Sequence, residues 1–207
     1  MSEYQRKDKL YHQAKEEGYR SRAAYKLKEI DKKYNLIKKG SKVVDLGCAP
    51  GGWLQVVLEK VGSAGLVVGI DLEEVAPFQT SGKIQIKPVL IHGDILDKQI
   101  QDEVIKLSHG GVDIVLSDMS HKLTGIRFSD GVKSAELVET AFTVAKKLLK
   151  TGGSFIAKVF PSPDADEVAK ILKKNFKNFS RLNLDSSRKT SNEFYFVARD
   201  FKGQIEG

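Results

Sequence analysis

The sequence predicts a single α/β domain: a mostly parallel sheet with helices on both faces. Three observations carry this. A chain of 207 residues suits one such domain and can bury a sizeable core. Residues 42–60 read as strand, glycine turn and helix in direct succession. Further apolar runs at 66–71, 89–92, 112–116 and 154–160 alternate with helical patterns, as in a sheet built from βα units.

The first segments carry the charge. Residues 1–42 hold 13 Lys/Arg and 6 Asp/Glu, while the other 165 residues hold 21 of each, so the net +7 lies ahead of the first strand. A polyanion is the natural partner, and nucleic acid the favoured one. Residues 1–20 are polar, with Tyr4, Leu10, Tyr11 and Tyr19 as isolated anchors of an arm or short helix. From Ser21, a candidate N-cap, Ala24, Leu27, Ile30 and Tyr34 recur at helical steps, with Lys26 and Lys33 off that face. The expected division is a basic helical extension over 1–40 and a domain over 41–207. Candidate phosphate contacts are Arg6, Lys7, Lys9, Arg20, Arg22 and Lys28.

Val43 and Val44 begin a buried strand that Asp45 closes; Gly47, Pro50, Gly51 and Gly52 force a tight turn, and a helix runs from Trp53 to Lys60. Backbone N–H groups at such a helix start face a cofactor. The glycine spacing is neither Gly-x-Gly-x-x-Gly nor a P-loop, which disfavours a dinucleotide or a nucleoside triphosphate. Cys48, the only cysteine, rules out an internal disulfide, suits a reducing cytoplasm, and reads as packing behind the turn.

Leu66–Asp71 is a second strand; its terminal acid either accepts the hydroxyls of a cofactor ribose or serves as a helix cap. Residues 78–87 read as a loop or short extra strand. Asp94, beyond the strand at 89–92, either bonds an adenine amine or caps the helix expected over 97–107. The strand at 112–116 leads to Asp118, aimed at the ligand crevice. An amphipathic helix is expected over 133–149, stopped by Gly152 and Gly153. In the next strand Lys158 lies inside an apolar run, where an ammonium is costly unless carboxylates pair with it. A helix over 164–175 and a hairpin of strands at 180–184 and 194–198 complete the chain, with Glu193 opening the last strand. The four histidines lack metal-ligand spacing, so no metal is expected. No apolar run reaches transmembrane length.

Residues 44–53, Ser117-Asp118-Met119, residues 152–160 and residues 185–193, together with Ser21 to Leu27, resemble the RrmJ/FtsJ family of RNA ribose 2′-O-methyltransferases over nearly the whole chain. The resemblance implies a class I methyltransferase (Rossmann-like) fold with seven strands, the last antiparallel, and S-adenosylmethionine as cofactor. It places a catalytic Lys-Asp-Lys-Glu set on Lys26, Asp118, Lys158 and Glu193. It places cofactor contacts on Gly51, Trp53, Asp71 and Asp94, with Asp118 near the methyl group; Asp45 and Gly47 complete the expected cofactor set. It implies a uridine of large-subunit ribosomal RNA as target, with a tRNA anticodon loop as the alternative; a monomer is expected, and the lone cysteine points to the cytoplasm. Where the family has a Pro-Asn pair after the motif aspartate, this chain has Ser120-His121-Lys122. A non-catalytic RNA-binding protein of the same fold would need a broken catalytic set, and all four positions are intact.

Overall fold

The first strand and its turn set the frame. The computed structural model describes residues 9–80, 82–188 and 191–203. Its elements are α1 (Lys9–Glu16), α2 (Ala23–Tyr34), β1 (Lys42–Leu46), α3 (Gly52–Val61), β2 (Leu66–Asp71), β3 (Val89–His92), α4 (Lys98–Ser108), β4 (Val112–Ser117), α5 (Arg127–Leu148), β5 (Leu149–Val159), α6 (Pro163–Asn175), β6 (Phe176–Leu182) and β7 (Phe194–Phe201). One seven-stranded sheet runs β3-β2-β1-β4-β5-β7-β6. Every pair from β3 to β5 is parallel, and β7 alone runs against its neighbours. The strand order reverses between β1 and β4, the point where open α/β sheets leave a crevice at their carboxyl ends.

Two apolar layers cover the sheet. On one face α4, α5 and α6 bury Val104, Val138, Phe142 and Leu172 against Val44, Val68 and Phe155. On the other, α2 and α3 bury Leu27, Ile30, Leu54 and Val57 against Val43, Leu116, Ile156, Tyr195 and Val197. Because α2 shares this second layer, residue 40 is no boundary in the packing. Ser21 does not cap α2, whose N-cap is Arg22 without a side-chain bond. Instead Ser21 packs on the start of α3: a Cβ at Gly52 would lie 2.2 Å from its Oγ.

Several elements are longer than the sequence pattern indicates. Helix α5 begins at Arg127, ahead of the expected Lys133. β5 begins at Leu149, and the two glycines expected to stop a helix instead sit in a bulge, with Gly152 at φ 84° and a register shift between Val112 and Ile114 on β4. Ser162 caps α6 by accepting from the Ala165 N–H, with Pro163 in the first turn. That helix runs straight into β6, which starts at Phe176, ahead of the strand expected from Ser180. No helix among the described residues is long and apolar enough to cross a membrane.

Candidate active site

Side chains two apart on a strand share a face. Leu116, Ile156 and Val197 sit side by side in the layer beneath α2 and α3. One step outward on the same face lie Asp118 after β4, Lys158 on β5 and Tyr195 on β7; one step beyond Tyr195 lies Glu193. Because β7 is antiparallel, its beginning reaches the edge where the parallel strands end. The strand pattern thus delivers three of the expected catalytic residues to one place, and α2, crossing above, delivers Lys26.

Lys158 is 8% exposed. Its ammonium donates to the Asp118 backbone oxygen at 2.6 Å and lies 3.2 Å from Asp118 Oδ1. The Tyr195 hydroxyl donates to the same Oδ1 at 2.8 Å, so two donors fix that carboxylate. Lys26 pairs with Glu193, and the Ser187 hydroxyl donates to the same carboxylate oxygen at 2.8 Å. Burial pushes the Glu193 carboxyl up, but the Lys26 ammonium and these hydrogen bonds overcome it and hold it below the usual 4.5. Burial, then Asp118 and Glu193, push the Tyr195 phenol far up, so it stays a donor. Trp53 lies behind the pair, its ring centroid 5.9 Å from that of Tyr195 and its indole N–H donating to the Ala23 carbonyl at 2.8 Å.

The carboxyl edge of β3, β2, β1 and β4 carries Asp94, Asp71, Asp45 and Asp118 in spatial order. Asp71 steadies the turn by accepting from the Ala49 N–H at 2.7 Å and the Glu73 N–H at 2.8 Å. Asp94 closes a short turn by accepting from the Leu96 N–H, and it is Asp97 that caps α4. Gly47 lets the end of β4 come close: it sits at φ 72°, and a Cβ there would lie 2.3 Å from Met119 Cγ. Asp45 is 1% exposed, and neither of its carboxylate oxygens accepts a hydrogen bond among the described residues. Burial, with Asp118 and Asp71 adding repulsion, pushes its carboxyl well up. Such an edge attracts a cationic ligand with hydroxyl and ammonium donors and repels a pyrophosphate. Cys48 is buried, and burial with the nearby Asp45 pushes its thiol far above the ordinary range, which suits packing.

Lys26 and Glu193 also line a cavity of ≈ 680 Å³, together with Arg22, Ser120, Arg127 and Arg188 among others. Its size is that of an ordinary small-ligand pocket. Its lining thus combines the cations Arg22, Lys26, Arg127 and Arg188 with the carboxylates Asp130 and Glu193.

The FtsJ-like methyltransferase family model matches residues 19–201. The chain belongs to this family. Among FtsJ-like relatives, the ribosomal RNA large subunit methyltransferase E of Methanothermobacter thermautotrophicus is 44% identical over 199 residues, covering 96% of this chain and 92% of the relative. The protein of the same name from Rhodopseudomonas palustris is 44% identical over 204 residues, covering 97% and 83%. A crystal structure described as a ribosomal RNA methyltransferase from Plasmodium falciparum superposes with TM-score 0.74 at 29% identity, covering 90% of this chain and 100% of that one.

The FtsJ-like fold uses the basic N-terminal residues unequally. Arg6 and Lys7 lie outside the described residues. Lys9 is exposed on α1. Arg22 lines the cavity and donates to the Ser186 carbonyl. Lys28 stands 4.1 Å above the Tyr19 ring and 3.8 Å from Glu17. Arg20 is turned inward: its guanidinium donates to the carbonyls of Ala76 (2.6 Å), Pro77 (2.7 Å) and Pro50 (3.2 Å) and stacks 3.7 Å above Phe78. It braces the glycine turn against the 76–78 loop, so both terminal guanidinium nitrogens already have carbonyl partners.

Three contributors escaped the sequence reading. Tyr195 had a signal, being a hydroxyl two residues beyond Glu193 on the same face. Asp130 and Glu29 had none, since their partners are loop amides. Glu29 on α2 accepts from the Asp185 N–H (2.8 Å), the Ser186 N–H (3.0 Å) and the Ser186 hydroxyl (2.7 Å), holding the segment that carries Ser187 and Arg188 beside Glu193. Glu29→Ala is expected to raise the RNA KM about tenfold with kcat within about threefold of wild type, because it loosens substrate-side positioning and spares the reacting pair. Steady-state kinetics with RNA varied at saturating methyl donor check this split; a collapse of kcat with unchanged KM would contradict it.

Proposed function

We propose that this protein methylates the 2′-hydroxyl of a ribose in large-subunit ribosomal RNA, most specifically a uridine, using S-adenosylmethionine in the cytoplasm as a monomer. The observation that carries the reading is the Lys158–Asp118–Tyr195 cluster at the acidic carboxyl edge of the sheet, with the Lys26–Glu193 pair that joins it to an arginine-containing cavity. The names of the relatives support ribosomal RNA as the substrate.

The residues fit the cofactor. Asp71 has lone pairs beyond those used by Ala49 and Glu73, suited to ribose hydroxyls; Asp94, exposed at the end of the edge, is suited to the adenine amine; Asp45 supplies a buried anion for a cation. Gly47, Gly51 and Trp53 form the turn and wall. When bound, S-adenosylmethionine supplies an electrophilic methyl group.

The chain's own work is on the hydroxyl. Lys158 takes the 2′-hydroxyl proton through Nζ. Asp118, fixed by Tyr195, orients that nitrogen and attracts the positive charge that forms there. Lys26 and Glu193 hold the ribose from the opposite side, Lys26 as donor and Glu193 as acceptor. The basic residues Lys9, Arg22, Lys28 and those of the N-terminal arm hold the RNA backbone. Selecting a 2′-hydroxyl separates RNA from DNA.

The test is to incubate the protein with methyl-labelled S-adenosylmethionine and large-subunit RNA, then hydrolyse in alkali. A 2′-O-methyl blocks cleavage at its own linkage, so label is expected in an alkali-resistant dinucleotide. Label in mononucleotides would mean base methylation and overturn the reaction; label in tRNA alone would overturn the substrate.

A further inference from the structure

The loop after β4 and the first turn of α5 hold an unusual surface. Leu123 is 57% exposed, Ile126 65% and Phe128 71%. Scattered exposed apolar side chains are ordinary, but three large ones within six residues concentrate apolar surface on one segment. The segment is held firmly. Asp130 accepts from the Thr124 N–H and Thr124 hydroxyl, each at 2.8 Å, and from the Gly125 N–H at 3.1 Å, with His121 Nε2 3.1 Å from the same carboxylate. The Ser134 hydroxyl accepts from the Phe160 N–H at 3.0 Å, and Gly131 packs so closely on Ser162 that a Cβ would lie 2.7 Å from that residue's Cβ. The exposed side chains therefore stand on a fixed base.

Location and charge indicate the occupant. Leu123, Gly125 and Arg127 line the cavity of ≈ 680 Å³, and Ile126 and Phe128, which do not line it, are exposed next to them in the chain with the cations Lys122 and Arg127 interleaved. A cavity of that size admits one nucleotide, not a helix. The nucleotide that enters must leave its stack, and its neighbours lose a stacking face. An exposed aromatic ring beside cations restores that contact and is the usual way proteins hold unpaired bases.

We propose that Phe128, with Leu123 and Ile126 beside it, is a stacking platform for the unpaired RNA bases that flank the nucleotide in the cavity. This deepens the reading of the cavity as the RNA side and rests on it. Arg127 supplies a phosphate contact and Phe128 a sequence-tolerant, uncharged one.

Binding of the full chain to a single-stranded RNA oligonucleotide, followed by anisotropy over a range of salt, tests this without turnover. Phe128→Ala is expected to weaken binding about 5- to 150-fold with an unchanged salt slope. Arg127→Ala is expected to make the log–log slope shallower by about 0.7. Phe128→Trp is expected to keep affinity, and its indole emission to be quenched by single-stranded RNA and much less by an RNA duplex. Phe128→Ala affinity within about twofold of wild type, absence of quenching, equal quenching by duplex, or conversion of a dimer to a monomer by Phe128→Ala in sedimentation would each overturn the platform, the last by assigning the patch to a second copy. If the oligonucleotide results hold while no methyl reaches a ribose, the platform stands and the reaction reading falls. If methyl transfer proceeds and Phe128→Ala binds as wild type, the platform alone falls.

Discussion

Lys158→Ala is expected to lower methyl transfer by about 10³-fold or more while S-adenosylmethionine affinity stays within about threefold of wild type. On the proposed reaction the side chain acts on the RNA hydroxyl, and among the described residues the two polar contacts of its ammonium are both to Asp118. Lys158→Arg separates two roles. A guanidinium keeps the positive charge and can still donate to Asp118, but it does not give up its proton in the working range. Both variants are therefore expected to be inactive if Lys158 is the base. Single-turnover assays of each, with calorimetric titration of the cofactor, make the measurement. Activity within about tenfold of wild type in Lys158→Arg would show that the site needs the charge and not the proton transfer.

Asp45→Asn is expected to act in opposite directions on stability and binding. A fully buried carboxylate without hydrogen-bond partners among the described residues favours its protonated form, so its folded-state pKa lies above the unfolded value. The folded protein binds the extra proton between those two values. This group therefore costs no stability below the ordinary value of 3.8, and its cost grows as pH rises from there through the folded value. At neutral pH the uncharged amide removes that cost, so Tm is expected to rise in the cofactor-free protein. The cationic cofactor loses its buried counter-charge, and affinity is expected to fall on the order of 100-fold. In the wild type, binding is expected to release a proton as Asp45 ionises. Calorimetry in two buffers of different ionisation enthalpy detects that release, and its absence together with an unchanged Asp45→Asn affinity would remove Asp45 from the cofactor site.

The parts of this site that could be read from the chain are those set by local rules. The glycine turn after Asp45 follows from backbone geometry, and Asp71 and Asp118 follow from the position of strand ends. Lys158 stood out because a charge in an apolar strand demands a partner. The features that could not be read depend on contacts distant in sequence. Gly131 and Asp130 made the first turn of α5 look like loop, because the groups that stabilise it lie at 124–125 and at 161–162. The bulge in β5 looked like a helix stop because paired glycines carry both meanings. Arg20 looked like a surface cation, and only the folded 76–78 loop supplies the carbonyls that hold it. The Ser120-His121-Lys122 departure from the family pattern falls in the loop that Asp130 anchors, so the change in sequence comes with its own support.

The place of β7 has a consequence for biosynthesis. It follows β6 in the chain, yet it lies between β5 and β6. Until residue 201 has left the ribosome and folded, the outer edge of β5 is open, its N–H and C=O groups unpaired beside buried Phe155 and Ile156. At that stage Asp118 has no Tyr195 and Lys26 has no Glu193. A nascent chain can carry its basic segments and glycine turn before this cluster is assembled. Assembly of the Lys158–Asp118–Tyr195 cluster and of the Lys26–Glu193 pair therefore waits for β7 to insert, whatever order the rest of the sheet follows.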